Sequence, residues 1–315
     1  MRSCATRFQL LYLLICCAWF CQPPARAVLF YATGDPAYNS TAPAGSLTNS
    51  GWQWQGLLEN SYKKYLGTAI APNYFLTAQH LAVDTNWTFR YEDQTFSVVA
   101  VTNDPLSDLT VCRVNGALAS YAPLYTSSDE AGQAGVVFGR GTDRGAAVTN
   151  LDLHLSGWKW GAYNYTQRWG VNTVTETGVA DGNPYLAAAF DADGSTNECM
   201  LSDKDSGGGF FLQDGGLWKL AGINWAVDPV QFNTVASDAG SYYAALFDYG
   251  GLYYKTASGW QFATNTTQDL PQNFYVTRVS ERADWVMSVI PEPSGVLVVG
   301  LATLFVLHRF RRWSR

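Results

Sequence analysis

The stretch that most constrains the fold of this 315-residue chain is Lys204-Asp205-Ser206-Gly207-Gly208-Gly209-Phe210. Three consecutive glycines free the backbone to turn sharply and to approach other backbone closely. Phe210-Phe211-Leu212 then runs on as an apolar, strand-like segment. A serine between an acid and glycines sits where backbone amides can crowd around one hydroxyl, the geometry a nucleophile with an oxyanion site requires. A glycine-rich turn before a strand uses the same letters, so the rest of the chain has to decide between the two.

The chain is 47% hydrophobic, 15% aromatic and only 15% charged. Low charge with abundant Trp, Tyr and Gly suits an all-β extracytoplasmic protein of two small domains or one two-lobed domain. Between Val28 and Ser288 there are 13 basic against 25 acidic residues, a net of about −12. That excess of acid excludes nucleic acid as a natural partner. Four of the six cysteines lie in the first 21 residues, leaving Cys112 and Cys199. Two such residues make neither a disulfide framework nor a zinc site, and they are either one pair or two buried thiols. No metal or cofactor is called for.

The first 27 residues have the layout of a secretory signal. Arg2 and Arg7 are its basic start, Leu10 to Cys21 its apolar core, and Ala25-Arg26-Ala27 its cleavage site, leaving Val28 as the mature N-terminus. Residues 28–50 read as an irregular arm. Residues 67–78 scan as strand, Pro-Asn turn and strand, ending at His80. Trp87–Tyr91 and Thr95–Val101 alternate as a hairpin, and Asp108 opens the alternating segment Leu109–Val114. Further strands are expected at 135–139, 147–155, 169–175, 185–190 and 218–227, with a Gly-Arg-rich loop at 139–145. Tyr/Phe/Trp clusters separated by Gly and Asp over 228–272 suggest inserted hairpins. Val279, Ala283, Val286 and Ile290 fall near helical spacing, with Ser280 as the expected N-cap.

A serine nucleophile needs a base at its hydroxyl, and that base needs a carboxylate to hold its tautomer. Between the terminal segments the histidines are His80 and His154; His154 alternates with leucines as an exposed strand residue would. Asp108, 28 residues after His80, is the natural acid, with Asp104 as its competitor. The order His80, Asp108, Ser206, each at the edge of a strand or loop, resembles the trypsin-like (chymotrypsin-fold) serine proteases. Thr77-Ala78-Gln79-His80 is similar to their T-A-A-H, Asp108-Leu109-Thr110-Val111 to their D-I/L-A-L, and Asp205-Ser206-Gly207-Gly208 to the core of their G-D-S-G-G. Gly222-Ile223-Asn224-Trp225 resembles their G-I-V-S-W strand. Asn273–Val279 with Trp285-Val286 resembles their last strand and C-terminal helix. The likeness spans about residues 60–290.

The resemblance implies an all-β chain of two packed six-stranded Greek-key barrels, about 28–130 and 131–290, with a short C-terminal helix and the 228–272 insertion. It implies a secreted endopeptidase acting on protein or peptide substrates, with His80, Asp108 and Ser206 catalytic and the backbone amides of Lys204 and Ser206 as the oxyanion hole. Asp205 then shapes the oxyanion loop, and Met200, Asn224, Trp225 and Ala226 form the substrate pocket. Met200, where pocket charge is set, is no acid, so cleavage after Lys or Arg is not implied. Two departures bear on activity and rigidity. Lys204 stands where the family has Gly, and Leu81 and Ser202 replace two of its cysteines. An impaired pseudoprotease serving as a binding or matrix module is the alternative reading. A freed Val28-Leu29 terminus is a candidate partner for Asp205.

The tail, Pro291-Glu292-Pro293, an apolar run from 295 to 307 and an Arg cluster, resembles the PEP-CTERM sorting signal of Gram-negative bacteria. That likeness implies an inner-membrane stage through 295–307, processing by signal peptidase and an exosortase, and delivery to the cell envelope or extracellular matrix.

Overall fold

The computed structural model describes residues 28–163 and 165–291; the expected signal segment 1–27 and the expected sorting tail from Glu292 onward lie outside the described residues. Among the described residues no helix is long and apolar enough to cross a membrane.

Twelve strands close into two barrels. The first comprises β1 (Gln55–Glu59), β2 (Lys64–Ala71), β3 (Tyr74–Ala78), β4 (Thr88–Tyr91), β5 (Gln94–Asn103) and β6 (Leu109–Val114). The second comprises β7 (Ala134–Gly139), β8 (Arg168–Ala180), β9 (Asn183–Ala189), β10 (Gly209–Asp214), β11 (Leu217–Val227) and β12 (Asn273–Arg278). Around the first barrel the order is β1-β2-β3-β6-β5-β4, and around the second β7-β8-β9-β12-β11-β10. Each barrel therefore runs first, second, third, sixth, fifth, fourth, every pair antiparallel, which is the double Greek-key architecture that the resemblance implies. Full closure leaves no sheet edge within a barrel.

The alternating sequence produces these strands directly. In β5, Phe96 and Val98 point inward while Thr95, Ser97 and Val99 face solvent, the two-residue period of a half-buried strand. In the first core Phe75 and Phe89 stack with ring centres 4.2 Å apart and planes within 8°. Both are fully buried, so truncating either to Ala removes about 3–5 kcal/mol. Between the barrels Trp54 stacks on Phe211, and Trp52 meets Phe138 edge-on.

The 28–50 arm is not wholly irregular. Leu29–Phe30 pairs with Cys199–Met200, and Val28, Leu29 and Phe30 are buried with the second core rather than the first. The apolar arm start supplies the partner that the 199–200 edge lacks. The Gly-Arg segment 139–145 runs into a strand, Thr142–Thr149, and the expected 147–155 strand is broken by a turn at 151–153. His154 is exposed as expected but sits at the end of that turn, ahead of the strand Leu155–Tyr163. Asn150 forces the turn: its carboxamide oxygen accepts from the amides of Asp152 and His154. The insertion contains the hairpin Tyr253–Thr256/Gly259–Phe262, and its Ala244–Leu246 strand pairs with 155–163.

The C-terminal helix α1 (Ala283–Val289) starts later than its periodicity suggests. Ser280 lies in a 3-10 turn, and its hydroxyl donates to Glu130 instead of capping. Buried Glu130 also takes two bonds from Arg278, a charge-assisted claim stronger than an N-cap. Cys112 and Cys199 are both free and buried, one in each core.

Candidate active site

Two local accidents of sequence bring His80 and Asp108 together. Strands β3 and β6 pair with Ala78 opposite Leu109, so the residues beyond that end of the ladder share one rim. His80 follows on a single 3-10 turn, Gln79–Leu81, and Gln79 N donates to Asp108 O at 2.9 Å. Asp108 then receives the His80 backbone amide on Oδ1 at 2.8 Å and meets His80 Nδ1 with Oδ2 at 2.7 Å. On the other side of the ring, His80 Nε2 lies 2.9 Å from Ser206 Oγ. With the proton on Nδ1 donated to Asp108, Nε2 is free to accept the Ser206 hydroxyl proton.

Asp104, the competing acid, is elsewhere engaged. It is fully buried and accepts two bonds from Arg282, at 2.6 and 2.7 Å, and one from Ser107. Burial works against its charge, but the bonds from Arg282 and Ser107 outweigh it and hold the carboxyl below its ordinary pKa. It ties the chain entering α1 to the loop that carries Asp108.

The Ser206 loop is pressed between the barrels. At Gly207, with φ +83°, a Cβ would lie 2.4 Å from Leu66 O and from Thr77 Oγ1 of the first barrel. At Gly208 it would lie 2.0 Å from Phe138 O, so neither position tolerates a side chain. Asn224 closes the loop from β11, donating its carboxamide to Asp205 O and Phe138 O at 2.9 and 2.7 Å.

Asp205 is buried below the loop. Its oxygens accept from Gly141 N at 2.6 Å and from Ser202 N and Oγ at 2.8 and 2.9 Å. Burial pushes its pKa up from 3.8 to about 6, against the pull of those donors. Ser202 Oγ also accepts from Thr142 N, so the residue standing where the resembled family has a cysteine knits the loop by hydrogen bonds. Val28 abuts the same spot: a Cβ on Gly139 would meet Asp205 Oδ1 at 2.0 Å and Val28 Cγ2 at 2.8 Å.

Lys204 occupies the left-handed region at φ +74°. A side chain there is strained by about 1–2 kcal/mol, yet it adopts the conformation that glycine would take freely. Among the described residues, neither the Lys204 nor the Ser206 backbone amide donates to another protein group. The Lys204 ammonium turns aside to Asp203 Oδ1 at 3.3 Å, between the rings of Tyr163 and Tyr65.

Beside Ser206 opens a cleft of about 380 Å³ bordered by Asn224, Trp225 and Ala226. Met200 is a correction. It is fully buried, pairs with Leu29 and faces the second core, so Leu201 lines the cleft instead. Strand alternation explains the exchange: once 199–200 pairs with the arm, successive side chains point to opposite sides.

Three contributors went unnoticed in the sequence. Asn183, at the start of β9, accepts the Asp108 amide on its carboxamide oxygen at 2.9 Å and donates to Thr277 Oγ1 at 3.1 Å. It thereby fixes the acid of the first barrel from the second. Its only local signal is its place after the Asp181-Gly182 turn. Trp160 and Tyr243 complete the cleft wall, and nothing near either residue announces it.

No family model matches the chain, and no curated protein is similar to it. One solved structure that it resembles is neuropsin, a serine protease expressed in the limbic system of mouse brain. The TM-score is 0.46 at 14% identity, over 77% of this chain and 96% of that one.

Proposed function

We propose that the protein is an exported serine endopeptidase that hydrolyses peptide bonds through an acyl-enzyme. The observation that carries this reading is the unbroken chain Asp108 Oδ2, His80 Nδ1, His80 Nε2, Ser206 Oγ, with separations of 2.7 and 2.9 Å. Ser206 Oγ attacks the scissile carbonyl carbon as His80 Nε2 takes the hydroxyl proton. Asp108 holds the ring through Nδ1 and offsets the charge that His80 then carries. The carbonyl oxygen becomes an oxyanion facing the unengaged amides of Lys204 and Ser206. His80 returns its proton to the leaving amine, and water repeats the sequence on the acyl-Ser206 ester.

The pseudoprotease alternative rests on Lys204. Its left-handed backbone weighs against that alternative, because the amide is already turned as a glycine's would be. The finer parts of the reading come from the sequence. Cleavage before Val28 releases the exported chain, and the Pro291-Glu292-Pro293 tail serves as an envelope or matrix sorting signal. The two barrels and the insertion form one protease domain over 28–290.

The deciding experiment is labelling of the purified domain with a fluorophosphonate, followed by peptide hydrolysis. Labelling that disappears in Ser206→Ala, with hydrolysis of a peptide library by the native protein alone, is the expected result. An unlabelled native protein that is folded by circular dichroism would overturn the reading in favour of a binding module.

A further inference from the structure

The cleft beside Ser206 is built partly by the insertion, and that construction points to the side chain it accepts. Trp160, from strand 155–163, and Tyr243, from the insertion, stack with ring centres 5.1 Å apart and planes within 18°. Trp160 N donates to Tyr243 O at 3.0 Å. Immediately beyond, Gly157, Trp158 and Lys159 pair with Leu246, Ala245 and Ala244. A Cβ on Gly157 would lie 2.1 Å from Ala245 O, so the two strands approach too closely for any side chain at 157. The backbone next to the pair is therefore held by a ladder, and the Tyr243 ring stands exposed at the edge of the cleft, stacked on Trp160.

The acids that reach this cleft are all occupied. Asp228 accepts Asn273 N on Oδ2 and the Tyr275 hydroxyl on Oδ1, each at 2.8 Å. Asp203 is engaged by the Tyr163 hydroxyl and by Lys204 Nζ. Asp205 is held by the loop's own donors. A cationic side chain entering here would find each carboxylate already bonded and would lose its hydration without a dedicated counter-ion. Apart from Ser206 and the loop residues Ser202 and Asn224, whose side chains bond within the loop, the remaining boundary is apolar: Leu201, Trp225, Ala226, Val227 and Pro229.

We infer that Trp160 and Tyr243 make this cleft selective for a large uncharged side chain, aromatic above aliphatic, on the acyl side of the scissile bond. The 228–272 insertion is thus a specificity element of the enzyme. The inference rests on the triad reading above, since it concerns the cleft next to Ser206. An aromatic side chain gains a face of Trp160 or Tyr243 to stack on, in addition to the apolar area it buries.

The test uses two kinds of covalent probe on the same protein. A small fluorophosphonate reports Ser206 reactivity whatever the side-chain preference. Peptidyl diphenyl phosphonates carrying Phe, Leu, Val, Lys or Glu next to phosphorus report the cleft. The expected result is inactivation by the Phe probe at least about tenfold faster than by Val and about a hundredfold faster than by Lys or Glu. Tyr243→Ala lowers the ratio of the Phe to the Val inactivation rate at least about tenfold, and Tyr243→Phe keeps the native preference. Native labelling accompanied by a Lys or Glu preference, or a Phe preference that Tyr243→Ala does not change, overturns the inference and leaves the triad intact. Absence of fluorophosphonate labelling in the native protein removes the triad reading, and the inference falls with it.

Discussion

Replacing Lys204 by glycine is the sharpest test of the proposed oxyanion site. If the lysine side chain spoils the hole, Lys204→Gly should restore one amide donor, an effect of about 100- to 1,000-fold on turnover. The geometry argues otherwise. Lys204 already stands at φ +74°, and its amide donates to no protein group. Its ammonium is directed to Asp203 and the flanking tyrosines. Glycine at this position leaves the amide where it is, so kcat/KM should change by less than about threefold, well short of one donor's worth. Stability should also change little. Relief of left-handed strain contributes about 1–2 kcal/mol. Against it stand about 0.5–1 kcal/mol for the freer unfolded glycine and up to about 1 kcal/mol for the half-exposed pair with Asp203. The assay is hydrolysis of an activated ester and of a peptide substrate, with denaturant unfolding alongside. A gain of a hundredfold or more would refute the reasoning and show that the native hole is disabled. A loss of that size would show that the ammonium itself takes part.

Three further outcomes are expected. Asn183→Ala frees the Asp108 amide from the second barrel, so kcat should fall roughly ten- to a hundredfold with KM nearly unchanged; a raised KM with kcat unchanged would place Asn183 in substrate binding instead. Glu198 is buried, and desolvation pushes its pKa up from 4.5 to about 8, with Asp191 and Asp193 adding to the rise. A raised carboxyl contributes stability that is complete below pH 4.5 and lost as pH climbs through 8, about 3–5 kcal/mol in all. Glu198→Gln should therefore flatten the fall in denaturation free energy between pH 5 and 8.5, and an unaltered slope would clear Glu198. N-terminal sequencing of the secreted, active protein should return Val28-Leu29-Phe30; a start elsewhere with full activity would sever the arm from the site.

The meeting of His80, Asp108 and Ser206 was legible because each residue is announced by its own neighbourhood. His80 and Asp108 stand at the end and the start of alternating strands, and Ser206 is set among glycines that nothing else nearby would need. Their meeting follows from one antiparallel pairing, β3 with β6, and from one close approach at Gly207. The cleft was less legible. The resemblance puts Met200 in it, but the arm at Leu29 captures the 199–200 strand and turns that side chain into the core. Trp160 and Tyr243 lie 83 residues apart, and their stack depends on an irregular register between 142–149 and 155–163 that no local periodicity encodes. Asn183 reaches Asp108 over 75 residues, through a barrel contact invisible to any window of sequence. Residues whose role is decided by a strand's own period were readable; those decided by which strands meet were not.

The same distinction bears on what holds the reactive loop still. The cysteine found in the resembled family four residues before the position of Ser206 is Ser202 here, and among the described residues no cross-link replaces it. Instead Ser202 donates to Asp205 through both its amide and its hydroxyl, and that hydroxyl accepts from Thr142. Gly141 adds a fourth bond, and Asn224 clamps Asp205 O from β11. Such a cage is rigid only while its central carboxylate stays in place, and that carboxylate is itself strained by desolvation. Raising the Asp205 pKa from 3.8 to about 6 corresponds to about 3 kcal/mol of stability, present below pH 3.8 and lost as pH rises through 6. At neutral pH the loop therefore carries an ionised acid that its amide donors only partly compensate. Val28, buried against the same Gly139 position, is the described residue best placed to change that balance. A positive α-amino group created at Val28 would oppose the desolvation of Asp205, whereas a continuous chain through that point supplies no charge. The buried arm and the buried acid thus meet at one position, Gly139, which is where a charge created at Val28 would act on the Ser206 loop.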